Sequence, residues 1–173
     1  MWKLFKAGLA LCLGFNAGLP STHLHAGPAQ SETWTTPVVS PAYIAKDYSA
    51  PTEKWSGGHR GVDFSVSEGA VVIAPTAGSI SFQGLVGGKK VLVLKVAPSL
   101  RVTFEPVCNL PGNEMSLGER VSAGAALGVV CGEGYSSHCQ PLLCLHVGVI
   151  DDRGYLSLRW FLGHLPPSRL TVS

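Results

Sequence analysis

Two stretches far apart in the chain carry side chains that could act together: His59 and Asp63 in Gly58-His59-Arg60-Gly61-Val62-Asp63-Phe64, and His146 in Cys144-Leu145-His146-Val147-Gly148. Two neutral imidazoles and one carboxylate form a ligand set suited to a zinc ion that keeps a fourth position open for water. His59 and Asp63 are four residues apart, and Gly61 between them lets the backbone bend so that both side chains converge. Alone, such a pair is a weak pattern whose ordinary reading is a surface histidine beside a turn aspartate. The second stretch adds the weight. In a strand, residues two apart face the same side, so Cys144 and His146 would both point towards what His59 and Asp63 face.

Bringing these stretches together requires a framework, and from Gly57 onward the pattern is β. Ala70–Ala74 is a continuous apolar run ended by Pro75, Ser79–Gln83 alternates, and Val91–Val96 is long and β-branched between Gly87-Gly88 and Pro98. Arg101–Glu105 alternates, Ala126–Val130 is apolar, and Leu145–Ile150 forms a last strand before the turn sequence Asp151-Asp152-Arg153-Gly154. No stretch shows a capped helical period. Gly118 and Gly124 flank a short Val121-centred strand, each at a tight corner that glycine suits, a feature of sandwich-barrel domains. The expected fold is all-β, an antiparallel sandwich of barrel-sandwich-hybrid type with short connections. Before it, residues 27–57 contain Pro28, Pro37, Pro41 and Pro51, which points to an extended arm laid on the domain, with Trp34, Tyr43, Tyr48 and Trp55 to bury.

Residues 1–26 differ from the rest. Lys3 and Lys6 precede an apolar run, Ala7–Leu19, and Leu24-His25-Ala26 offers a small residue for cleavage, the form of a secretory signal peptide. The run is shorter than the roughly 20 residues that span a bilayer, so no span is expected in the mature chain. Without this leader, 11 basic and 11 acidic side chains remain, and with no basic patch there is no electrostatic case for nucleic acid. Loss of Cys12 leaves Cys108, Cys131, Cys139 and Cys144, an even number that points to disulfides in an exported chain. Of three possible pairings, Cys139 with Cys144 closes a short loop, which leaves Cys108 with Cys131. The expected divisions are a signal peptide at 1–26, an arm at 27–45, a β domain at 46–165 and a tail at 166–173.

Gly58–Asp63, the run Gly69–Gly78, Gly118–Gly124 and Leu145–Gly148 together resemble, in order and spacing, the lysostaphin/LytM-type zinc metallopeptidases. The resemblance covers about residues 46 to 163. It implies an antiparallel β core, His59, Asp63 and His146 as zinc ligands, and as substrates peptide bonds in the peptides and cross-bridges of bacterial cell-wall peptidoglycan. It implies a secreted or envelope-associated protein. The chain departs from the family pattern twice: Cys144 stands where a histidine usually lies two residues before the last ligand, and Phe104-Glu105-Pro106 stands where a histidine usually follows an aromatic. A form of the family with Tyr-Glu-Pro and with His-Cys before Cys-Leu-His is similar on both counts.

Three arrangements of the altered site follow. Cys144 bridged to Cys139 leaves the zinc its water, with Glu105 or His138 as the base. Cys144 as a thiolate completes a closed ligand set. In the third, the fold binds cell wall or regulates a partner wall hydrolase without catalysis. A bridge between Cys139 and Cys144 would hold His138 near the metal, whereas His164 in the tail reads as a surface residue. A carrier or sugar-transfer domain of similar shape is disfavoured, because Lys89 and Lys90 beside Gly87-Gly88 lack the flanking signature of a modified lysine.

Overall fold

The structure, a computed structural model, describes residues 33–39, 42–53, 56–112, 114–132, 138–139 and 142–163, all within the unit Glu32–Ser173. The leader with Cys12, arm residues 27–32, Trp55, His164 and the tail lie outside the described residues. In chain order the elements are β1 (Tyr43–Lys46), β2 (Val62–Ser65), β3 (Val71–Ile73), β4 (Gly78–Val86), β5 (Lys89–Ala97), β6 (Leu100–Glu105), β7 (Val107–Cys108), β8 (Arg120–Val121), β9 (Ala126–Val130), β10 (Cys144–Ile150), β11 (Tyr155–Leu156) and the single-turn α1 (Leu158–Phe161).

The strands form two sheets with antiparallel pairing throughout, and neither closes into a barrel. The larger runs β1-β2-β10-β6-β5-β4-β8, with β11 also paired to β10, and the smaller runs β3-β9-β7. The all-β reading therefore holds. The expected strands at 91–96, 101–105, 126–130 and 145–150 lie within β5, β6, β9 and β10. Gly118 and Gly124 both adopt positive φ, at +83° and +77°, which ties the corners around β8 to glycine.

Period-two alternation decides what each face of the large sheet does. Val62, Val147, Phe104 and Leu92 are matched across β2, β10, β6 and β5, and all are buried. The next inward row is Val149, Val102, Leu94 and Ile80, also buried, and both rows belong to one cluster with Val72, Leu127 and Val130 of the small sheet. Each such side chain contributes about 1.5–3 kcal/mol through burial. The intervening residues of β2, β10 and β6 must face away from this core. They form the row Asp63, His146 and Glu105.

The arm is partly sheet. Tyr43–Lys46 pairs with β2 as an edge strand, Tyr43 opposite Ser65, and Val38 bridges to Val72. Trp34 stacks on Phe161 with ring centroids 4.2 Å apart, and the Tyr48 hydroxyl donates to the Tyr155 carbonyl at 2.9 Å. Tyr43 departs from the expected burial and is 68% exposed, because its register places it on the outward face with Ser65. The helix α1, absent from the sequence expectation, is a single turn too short to show a period, and Leu158 anchors it in the core.

Candidate metal centre

On the outward face, β2 and β10 place Asp63 and His146 directly opposite each other, and His146 Nδ1 lies 2.7 Å from Asp63 Oδ1. The approach is possible because residue 61 is glycine. A Cβ there would lie 2.5 Å from both His146 Nε2 and the Val147 carbonyl oxygen, so the imidazole rests against bare backbone. His59 precedes β2 and is fixed by paired backbone bonds with Ser49, at 2.9 and 3.0 Å. Its Nδ1 lies 2.7 Å from the Asp47 carbonyl oxygen. A carbonyl can only accept, so Nδ1 carries the proton and Nε2 presents a lone pair.

That Nε2 is buried without a hydrogen-bond partner, and it faces Asp63 Oδ2 at 3.0 Å. A lone pair against a carboxylate oxygen in a buried site is unfavourable unless a cation lies between them. Here the donor set fits a metal: a ring oriented by a backbone carbonyl, a carboxylate and a further imidazole are the usual pieces of such a site. Asp63 is fully buried. Burial pushes its pKa up, but hydrogen bonds and charge from His146 and His138 outweigh that and hold it at about 2, below its usual 3.8. The carboxylate is thus ionised at neutral pH, as a ligand must be.

His138 is the fourth member. Its Nε2 lies 3.0 and 2.9 Å from the two Asp63 oxygens, and its ring stands edge-on to His59 and His146 at 5.7 and 4.9 Å. One ligand atom from each of His59, Asp63, His138 and His146 can be chosen so that all lie within 4.8 Å of one another. His138 is the most open of the three imidazoles, with 33% of its side chain exposed against 8% for His59 and 13% for His146. Cys139 is bonded to Cys144, and Cys108 to Cys131. Glu105 sits across from His146 on the same face, and its carboxylate accepts from Lys89 Nζ at 2.8 Å.

Farther along that face, Ile150 and Arg101 are paired and help line a cleft of about 1120 Å³ with Arg60, Arg153, Asp151 and Tyr155. Neither the Asp47 carbonyl nor the cleft is foreseen by the sequence. Any residue type can supply a carbonyl, and the cleft residues come from four separate segments.

The profile of Peptidase family M23 matches residues 57–155. Uncharacterized proteins of Mycobacterium tuberculosis and Mycobacterium bovis are 31% identical over 131 residues, which cover 73% of this chain and 49% of theirs. The chain thus spans about half the length of these curated relatives. Among solved structures, the solution structure of lysostaphin superposes with a TM-score of 0.60 at 21% identity, covering 82% of this chain and 62% of that one. The catalytic domain of lysostaphin from Staphylococcus simulans gives 0.57 at 22% identity, covering 70% and 92%. A zinc-containing peptidase from Vibrio cholerae gives 0.57 at 16% identity, covering 70% and 37%. At these identities the structural likeness establishes the fold, and it is the profile match across the stretch from His59 to His146 that assigns the family: this chain belongs to peptidase family M23.

Proposed function

We propose that the chain is an exported, zinc-dependent endopeptidase that hydrolyses peptide bonds in bacterial cell-wall peptidoglycan. In this reading His59, Asp63 and His146 hold the metal and His138 moves the proton. The observation that carries it is the buried, unpartnered Nε2 of His59 facing Asp63 Oδ2 at 3.0 Å. A bound zinc would polarise the scissile carbonyl and bring the pKa of its water to about 7. His59 offers Nε2 because the Asp47 carbonyl keeps the proton on Nδ1, and Asp63 holds the other two imidazoles in place. His138, the imidazole most open to solvent, directs Nε2 at the ionised Asp63 carboxylate, which can only accept. Its other ring nitrogen, Nδ1, is therefore the one left to accept a proton from the attacking water and return it to the leaving amine. Glu105 is committed to Lys89, so proton transfer falls to His138 and Glu105 becomes part of the site wall. The cleft beside Arg101 and Arg60, with charges of both signs, suits a peptide carrying carboxylate and amine groups. Export accords with the two disulfides.

A second reading rests on the same His138 contact. If Nε2 of His138 also ligates, four protein donors close the site, and the fold binds cell wall or regulates a partner hydrolase without cutting. Incubation of the zinc-loaded chain with purified peptidoglycan and with glycine-rich peptides, followed by mass spectrometry of new amino termini, separates the two. Cleavage that His59→Ala abolishes and His138→Ala slows by about 10²–10⁴ in kcat supports the enzyme. No cleavage by the zinc-loaded chain contradicts it.

A further inference from the structure

All four cysteines of the β domain serve one connection, the one from β9 to β10 that carries His138. Cys131 opens that connection and is bonded to Cys108 at the end of β7. Near its far end, Cys139 is bonded to Cys144, the first residue of β10, with their Cα atoms 5.9 Å apart. Cys144 lies two residues before His146 and is buried, so the second bridge fastens the residue next to His138 to the strand that carries His146. The Cys139 carbonyl also accepts from the Leu142 amide at 3.0 Å. A side chain on a connection between two strands stays at one point only if something offsets its conformational freedom. The bridge supplies that constraint at the residue adjacent to His138.

The bridge has a second effect. Ligand atoms of Asp63, His138, Cys139 and Cys144 can also be chosen within 4.8 Å of one another. Thiolates are strong zinc ligands, and a disulfide removes both from the donor set. We infer that the Cys139–Cys144 disulfide is a positioning element of the centre: it holds His138 at Asp63 and keeps two competing thiolates away from the metal. Opened by a dithiol, the bridge takes up two electrons and two protons and becomes two thiols, while the dithiol closes to its own disulfide. The site then loses a fixed His138 and gains a sulfur ligand. The inference rests on the proposed metal-binding reading for its second effect only.

The test uses the full chain with Cys108–Cys131 intact. In the metal-free state, nitrogen NMR of the imidazoles is compared between the wild type and the double variant Cys139→Ser/Cys144→Ser. The His138 Nε2 resonance is expected to move to that of a free imidazole, with His59, His146 and the amides of β10 in place. A His138 resonance that stays at its wild-type position overturns the inference, whatever the metal does. With cobalt(II) as probe, Cys139→Ser, which frees Cys144, is expected to show a thiolate-to-cobalt charge-transfer band absent from the wild type and the double variant. A cobalt-loaded Cys139→Ser without that band overturns the sulfur effect, whereas a wild type that takes up no cobalt contradicts the metal reading and leaves the positioning effect to be decided by NMR. On peptide substrates the double variant is expected to lose kcat by about the same factor as His138→Ala, and adding His138→Ala to it is expected to lower kcat little further. Full additivity would contradict the positioning role.

Discussion

At the scale of single residues, the centre depends on what each ring nitrogen is left to do. The Asp47 carbonyl occupies Nδ1 of His59, which leaves the neutral ring a lone pair on Nε2 that faces Asp63 Oδ2 at 3.0 Å and suits a cation between them. His59→Ala is therefore expected to weaken zinc binding by more than about a hundredfold, the upper range for losing a supporting group rather than a ligand, as read by competition with a chelator. Gly61 matters for the space it leaves. Gly61→Ala drives a methyl group against His146 Nε2 and the Val147 carbonyl, each at 2.5 Å, and is expected to cost about 1–3 kcal/mol in urea unfolding and to weaken zinc binding through displacement of His146. The candidate ligands His59, Asp63 and His146 can be picked out of the sequence by residue type, and the structure brings them together. His138 was legible only through its neighbour: Cys139 suggested a bridge to Cys144, and the structure puts His138 Nε2 2.9 Å from Asp63. Two residues before His146, where the resemblance leads one to expect a histidine, the chain has the buried half-cystine Cys144.

At the scale of elements, the centre is a product of register. Val62, Val147 and Phe104 on one face and Asp63, His146 and Glu105 on the other are the same three strands read one residue apart. A one-residue slip of β2 or β10 would bury the ligands and expose the core, so core packing fixes the site. Phe104→Ala is expected to destabilise the fold by about 3–5 kcal/mol, measured by denaturant unfolding, and to weaken zinc binding with it. Replacement of both Cys108 and Cys131 by alanine is expected to lower stability by about 3 kcal/mol, from the loop that this bridge closes in the unfolded chain. The long apolar and β-branched runs of β5, β9 and β10 were readable because they lie between glycine and proline signals. The short β2 was not, since Val62-Asp63-Phe64-Ser65 offers only two alternations behind a pair of glycines. Nor was β1 read as a strand, because its pairing with β2 is a tertiary fact and the nearby prolines describe an arm equally well.

At the scale of the molecule, the apolar core lies between two sheets and the centre on the outward face of the larger one. Core burial therefore does not depend on the metal. Removal of zinc with a chelator is expected to leave the β-sheet circular dichroism intact while lowering Tm, with a stability loss of about 4 kcal/mol when free zinc had stood at a thousand times its Kd. Unfolding on chelation would mean that the metal builds the fold rather than occupies it. Cys144 and Glu105, where the family resemblance leads one to expect histidines, both lie on the outward face with His146, away from the core between the sheets. Among the described residues no helix is long and apolar enough to cross a membrane. The central claim is that His59, Asp63 and His146 hold one metal ion, and native mass spectrometry of the purified chain after zinc loading and buffer exchange addresses it most directly. One zinc per wild-type chain is expected, and none in His59→Ala or His146→Ala, with both variants folded. Zinc retained in these variants at the wild-type level, or a wild-type chain that retains none, would contradict it.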